Sequence, residues 1–522
     1  MELALCLSGG GYRASLYHLG VLTFLNELRF TDQTAMLDHV HTITSISGGA
    51  LTGMRYVISE ADQVDRKESF KSIYHDIVET NIGEILLERF HLESKQNRGV
   101  VQTLAGIYND FFFKDQKFGK ILNYMSWDGI HHFYADATDF DLGIPFRFQA
   151  TTHLLNKDRT SIYGMIGNWQ HQIDRDVAMN IRLADIMAAT SCFPLVFEPI
   201  KYPKDFEFSY TDRLGTSSLL VYPLMDGGLI DNQGIEPAIH AAEQMKGEGR
   251  EMDVMLICDA ANGGDEDNDK RLTLLDTTPE ILYTTLWIMA GLSIILCYWA
   301  YDAKIFFASG VFLMTALFFL FVGFMMKWLN HKACFFLSDK TKLHFRKRTI
   351  WDNTLSNIGT FVKARVLTAY RMTDAIMTGH MKKLWFRLIN ERNEWENKII
   401  TSSLNMFSTD KTWKDVIDDN SLSKDLRPEK RLLDIAKKAS KMRTTLWFTK
   451  DEIQNGMPQE IVACGRYTTC WNLLVYVEKL KSVEKSKLTA NQKFMMSQSD
   501  AIRKMWEKFQ SNPMYNIQTY TS

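Results

Sequence analysis

Two stretches share one pattern: Leu3-Ala4-Leu5-Cys6-Leu7-Ser8-Gly9-Gly10-Gly11-Tyr12-Arg13, and Val40-His41-Thr42-Ile43-Thr44-Ser45-Ile46-Ser47-Gly48-Gly49. Each is a short apolar run, then a turn of small residues, then a helical pattern. Leu16, Leu19, Leu22 and Leu25 carry the helix after the first turn, and residues 50–58 carry it after the second. Strand, turn and helix in this order, twice, predict an α/β fold with a mainly parallel central sheet flanked by helices. Both turns fall at carboxyl ends of strands, the edge at which open α/β sheets hold their ligands. Further strands are expected at 146–154, 219–225 and 254–258. A short strand is also expected at 460–464, before an amphipathic helix through Trp471, Leu474 and Val477.

The second turn carries a candidate nucleophile. Ser45-Ile46-Ser47-Gly48-Gly49 approaches the G-x-S-x-G elbow, in which a serine at the tip of a sharp strand-to-helix turn takes a strained backbone. Small residues are needed two before and two after it. Ser45 stands where the first glycine would and is still small, so Ser45, Gly48 and Gly49 form the elbow around Ser47. Taken alone, the pentapeptide also fits an ordinary strand-to-helix turn. Gly9, Gly10 and Gly11 offer consecutive N–H groups at the positive end of a helix, a candidate oxyanion hole. Gly9, Gly11 and Ala14 also satisfy the loose dinucleotide pattern G-x-G-x-x-A. That reading wants an acidic residue at the end of the second strand, where this chain has Thr44-Ser45-Ile46-Ser47. Asp226-Gly227-Gly228 follows an apolar run and places a carboxylate at a strand end, though Asp-Gly is also a plain turn signal. His18 and His41, single residues in a helix and a strand, read as packed or surface groups.

The chain's 522 residues exceed one typical domain of about 100–200 residues and leave room for an appendage. With 46% apolar and 23% charged residues it is a folding sequence, not a disordered one. Sixty basic against 62 acidic residues give no global field for nucleic acid, and no nucleic-acid module is found. The seven cysteines are scattered, without the spacing of a zinc site or a disulfide framework, so reduced thiols and no metal or cofactor are expected. The apolar run at 3–7 meets Ser-Gly-Gly-Gly at once, unlike a signal peptide, and predicts a cytoplasmic catalytic part. The acidic stretch 265–269 resembles the start of a calcium loop, but Lys270 replaces the needed glycine and Asp276 the bidentate glutamate, so it reads as a linker.

Residues 282–301 and 305–326 contain no charged residue, and each run reaches the ~20 residues that a membrane-crossing helix needs. Asp302, Ala303 and Lys304 separate them, so two spans must form an antiparallel hairpin with both ends on one side. Lys327, Lys332, Lys340, Lys342, Arg346, Lys347 and Arg348 follow the second run, and this positive bias puts the main body in the cytoplasm. Beyond it, Val362, Val366, Tyr370, Met377, Met381, Leu384 and Leu388 predict a long amphipathic helix that packs on the main domain or lies on anionic lipid. The resulting division is 1–275 as catalytic domain and 276–348 as transmembrane hairpin with a basic flank. Residues 349–485 read as a helical region completing or packing on the catalytic domain, and 486–522 as a polar tail.

Taken together, Ser8-Gly9-Gly10-Gly11-Tyr12-Arg13, Ser45-Ile46-Ser47-Gly48-Gly49 and Asp226-Gly227-Gly228 resemble the patatin-like phospholipase family. Ala150-Thr151-Thr152, the run from Ala188 to Pro194, and Asn232 are similar too. The resemblance covers roughly residues 1–260, with echoes around 443–465, and excludes the hairpin. It implies a Ser47–Asp226 dyad that cleaves acyl esters of glycerophospholipids, with Gly9–Gly11 holding the oxyanion and Arg13 steadying the loop or meeting lipid phosphate. It also implies a membrane phospholipid as substrate and, by family analogy, regulated action as a bacterial immunity or toxin effector at the inner membrane, with a homo-oligomer or activating partner. The contrasting expectation is an inactive patatin-like scaffold that acts through its hairpin as an interaction or pore-forming protein.

Overall fold

All five residues of Leu3–Leu7 are buried, which places this strand inside the sheet with both faces covered. The computed structural model describes residues 1–93, 99–126, 128–152, 165–194, 196–208, 221–260, 279–335, 365, 368–369, 372–419, 424–486 and 488–521. They form two compact units, Met1–Asp265 with Thr373–Ser522, and Glu266–Met372. The acidic stretch at 265–269, the basic residues from Lys340 to Arg348 and the start of the helix expected from Val362 lie outside the described residues.

The first unit is built on a ten-stranded mixed sheet. Its strands are β1 (Leu3–Leu7), β2 (Val40–Ser45), β3 (His132–Asp139), β4 (Ile144–Thr151), β5 (Ile166–Gly167), β6 (Gln172–Ile173), β7 (Ile200–Tyr202), β8 (Tyr222–Asp226), β9 (Val254–Asp259) and β10 (Ile399–Ser403). The order is β10-β9-β1-β2-β3-β4-β5-β6, with β8 pairing β3 and β7 pairing β8. Strands β10, β9, β1, β2 and β3 run parallel, and the pairs beyond β3 are antiparallel. The expected α/β architecture is the one found. Helix α1 (Gly11–Glu27) follows β1, and α2 (Gly48–Ala61) follows β2.

One detail of register positions the site. A strand has two edges, and β4 pairs with all of β3 along one of them. On the other edge, β2 pairs with the first half, ending at Ser45 opposite Ala135, while β8 pairs with the second half, ending at Asp226 opposite Ala137. Since β2 is parallel to β3 and β8 antiparallel to it, their carboxyl ends meet head to head. Two steps along β3 separate them, about 7 Å of strand.

The C-terminal part departs from expectation twice. Residues 460–464 are not a strand but the beginning of the helix Met457–Ser482, with Pro458 in its first turn. A short run such as Ile461-Val462-Ala463 has no period of its own, and this helix is buried on nearly all sides, so its apolar residues do not form a stripe. The segment read as a polar tail holds the helices Ala490–Ser497 and Ser499–Ser511. Ile502, Met505, Trp506 and Phe509 are buried along one face of the latter, at helical spacing.

Helix α1 crosses Met457–Ser482 through glycines. A Cβ on Gly20 would run into the Val462 carbonyl, and one on Gly465 into the Tyr17 carbonyl. In the second unit, helices Pro279–Asp302 and Phe306–Phe335 pack against each other, with Ala290, Ala300 and Ala316 buried. Trp287, Ile295, Trp299, Phe307, Phe318 and Phe321 point outward and are exposed. Both helices are long and apolar enough to cross a membrane.

Gly465→Leu forces the two crossing backbones apart, an overpacking cost of about 1–3 kcal/mol or more. A drop in thermal midpoint is expected, whereas an exposed Lys485→Leu change leaves it in place; calorimetry checks both.

Candidate active site

Ser47 has φ 49° and ψ −120°, a conformation that side chains rarely adopt, at the tip of the turn between β2 and α2. Close backbone packing holds it there. A Cβ on Gly48 would run into the Gly11 carbonyl, and one on Gly49 into the Leu7 carbonyl. The Ile46 N–H donates to Leu7 O at 3.0 Å, and the Ser47 N–H donates to Thr190 Oγ1 at 3.1 Å. Thr190 in turn donates to Asp136 O at 2.5 Å, and Ser15 Oγ ties the two loops by donating to Gly48 O at 2.8 Å. Ser45 is accommodated despite its side chain. Its hydroxyl donates to Tyr134 O at 2.7 Å, and Gly53 leaves room for it, since a Cβ there would stand 3.3 Å from Ser45 Cβ.

Asp226 ends β8 and is 5% exposed, and Ser47 is 8% exposed, so both sit in a site from which bulk water is largely excluded. The Gly228 N–H donates to Asp226 Oδ1 at 2.7 Å, and Thr138 Oγ1 donates to Asp226 O at 2.8 Å. A Cβ on Gly227 would meet the Asp136 carbonyl and would lie 3.4 Å from Ile46 Cδ1, which places this turn directly beside the elbow. Asn232 links the glycine loop to the Asp226 turn. Its Oδ1 would lie 2.4 Å from a Cβ on Gly9 and 2.6 Å from one on Gly228, and the same Gly9 Cβ would lie 3.3 Å from Ser47 Cβ. The glycine loop, Ser47 and the Asp226 turn therefore converge.

The glycine loop itself divides. The Gly9 N–H donates to Asn232 O at 3.0 Å and is committed to holding the loop, so Gly9 is set apart from the expected oxyanion trio. Among the described residues, no partner is found for the N–H groups of Gly10, Gly11 or Gly48. Gly10 and Gly11 have φ 140° and 59°, conformations open to glycine, and Gly48 follows Ser47, the position from which a nucleophile elbow supplies an oxyanion donor. Arg13 is fully buried, with Nη1 donating to Met442 O at 2.6 Å. This corrects the expectation that it meets lipid phosphate; it braces the loop from behind. Met442 and Thr445 escaped sequence reading as site residues, since they lie more than 400 positions from the loop they hold and no local pattern marks them; Thr190 lies in the run from Ala188 to Pro194, but only the fold sets its bond to the Ser47 N–H.

His18 is buried against Cys258 O at 3.2 Å, and burial lowers its pKa to about 4, so it packs against β9 as a neutral ring. His41 lies at the opposite, amino-terminal edge of the sheet. There His41 Nδ1 is 2.8 Å from Glu2 Oε2, and Arg250 Nη2 pairs with Glu2 Oε1 and lies 2.9 Å from His131 Nε2. Glu2, His41 and His131 have the donor set of a metal site, and the Arg250 guanidinium engages two of them, Glu2 and His131.

A family model of patatin-like phospholipases matches residues 5–239, which contain the glycine loop, the elbow and Asp226. Over these residues the chain is similar to the patatin-like phospholipase family. A solved structure of human GIVD cytosolic phospholipase A2 aligns with a TM-score of 0.32 and 14% identity, covering 49% of this chain. The aligned part spans 45% of that phospholipase, under half its length. No curated protein matches the chain. The patatin-like match supports a lipid hydrolase; the hairpin and the segment around 442–448 fall outside it.

The Glu2 cluster has a consequence for acid stability. Burial alone would raise the Glu2 pKa, but hydrogen bonds from His131 and His41 and the Arg250 partner outweigh it and hold the carboxyl far below its ordinary 4.5. A carboxylate depressed on folding stabilises the protein above its unfolded value, and that contribution is lost as pH falls below it. Glu2→Gln is expected to lower stability at pH 7 while flattening its decline below about pH 4.5, as read by denaturant midpoints across pH.

Proposed function

We propose that the chain is a membrane-anchored lipid acyl hydrolase that cleaves acyl esters of glycerophospholipids through Ser47 and Asp226. The observation that carries this reading is the strained Ser47 at the meeting point of β2 and β8, beside amides with no partner among the described residues. In this mechanism Asp226 accepts the Ser47 proton as Oγ attacks the ester carbonyl. The amides of Gly10, Gly11 and Gly48 then receive the negative oxygen of the tetrahedral intermediate. The alcohol leaves with the proton from Asp226, giving an acyl-enzyme. Asp226 next takes a proton from water, whose oxygen attacks the acyl carbon, and returns that proton to Ser47 Oγ as the bond to the acyl group breaks, releasing the fatty acid and restoring both residues. The two apolar helices would anchor the enzyme, and the basic residues after them favour a cytoplasmic catalytic domain. An anchored lipase faces its host's own bilayer, so we include control by a signal or partner, as in an immunity or toxin effector.

Ser47→Ala and Asp226→Asn are each expected to lower fatty-acid release from phospholipid vesicles by at least about 10³-fold with the thermal midpoint retained. Mass spectrometry of the released acids measures this, and release equal to the parent's would sink the dyad. Gly48→Ala, which pushes the elbow from the glycine loop, is expected to cost about 10²-fold in kcat, the scale of a lost oxyanion donor.

A further inference from the structure

Residues 442–448 run as a strap behind the glycine loop. The Tyr12 N–H donates to Thr445 O at 2.9 Å, the Ile82 N–H donates to Leu446 O at 3.2 Å, and a Cβ on Gly11 would run into Thr445 O. Met442 and Phe448 are buried, and the Phe448 ring stacks on Tyr12 with centroids 6.1 Å apart. With its carbonyls and these two side chains turned inward, the strap turns others outward. Lys441, Arg443, Thr444 and Trp447 are exposed, Trp447 by 38% of its surface. The Trp447 ring lies over Gly83, whose Cβ would stand 2.6 Å from Trp447 Cε3. One turn further along the helix Ile82–Glu93, on the same side, Leu87 is 77% exposed.

Leu87 and the outer part of Trp447 stand in water on the outer side of the segment that holds the glycine loop, where a polar residue would be better solvated. Their neighbours indicate what covers them. From 441 to 450 the chain has three basic residues, Lys441, Arg443 and Lys450, and no acidic one. Glu84 and Glu88 interrupt the positive face on the helix side, and Glu84 is engaged by Asn81. Tryptophan seats at the headgroup level of a bilayer, leucine reaches below it, and lysine and arginine meet lipid phosphates. We infer that the strap and Leu87 form a lipid-docking rim. Trp447 and Leu87 enter the interface of an anionic bilayer while Lys441 and Arg443 contact phosphates, so that an acyl ester is presented at the glycine loop. This inference rests on the hydrolase reading above and adds how that site meets its substrate.

The test uses the full chain reconstituted into phosphatidylcholine vesicles with and without phosphatidylglycerol, and compares vesicle lipid with a soluble short-chain ester. Arg443→Glu and Leu87→Asp alter exposed side chains only. They are expected to lower hydrolysis of anionic vesicle lipid by about tenfold and to leave the soluble ester within about twofold of the parent. An equal loss on both substrates, or no loss on vesicles, overturns the rim. A second arm is independent of catalysis: a bimane on Leu87→Cys, in a background with Cys297 and Cys334 changed to serine, should be quenched by brominated phosphatidylcholine. Absence of quenching overturns the rim even if the chain is an active hydrolase. If the parent cleaves neither substrate, the Ser47 reading falls and quenching alone decides docking. Protection of the bimane by an added soluble protein instead of lipid would assign the face to a protein partner and likewise overturn the proposal.

Discussion

Everything in the candidate site depends on β2 and β8 sharing one edge of β3. Because a strand offers only two edges and β4 fills the other, β2 must stop where β8 begins. The stop leaves the backbone after Ser45 without a partner on β3, and after one last bond to Leu7 of β1 the chain turns sharply into α2. The opposing strand delivers Asp226 to the same gap. Ser47 and Asp226 are thus brought to one gap by hydrogen-bond register, a feature as rigid as the sheet.

Holding Ser47 in its unfavourable conformation costs about 1–3 kcal/mol, which the surroundings must offset. They do so by backbone contact at van der Waals range, glycine against carbonyl, at Gly48 on Gly11, Gly49 on Leu7 and Gly227 on Asp136. A side chain at any of these points would push apart two loops that must remain adjacent. Glycine is therefore required here for closeness as much as for conformation, and the motifs are rich in it for the same reason.

The portion after the hairpin returns to both halves of the site. Trp385 Nε1 donates to Ile230 O at 3.0 Å, just after the Asp226 turn, and Lys382 pairs with buried Asp259 at the end of β9. The 442–448 strap holds the glycine loop, and β10 extends the sheet beyond β9. The matched family region is accordingly only part of the folded unit, which residues 373–522 complete.

By itself, the sequence determined the strand-turn-helix order, the α/β class and the candidate site residues. Local pattern is sufficient for these: an apolar run ended by small residues is read over ten positions, and Ser47, Asp226 and the glycines announce themselves by their turns. Tertiary structure alone decided which amides remain open, that Arg13 points inward, and that 460–464 and 490–511 are packed helices. Those outcomes depend on partners such as Asn232, Met442 and Thr445, distant along the chain. A backbone N–H is the same group in every residue, so only the fold determines whether it is bonded or available.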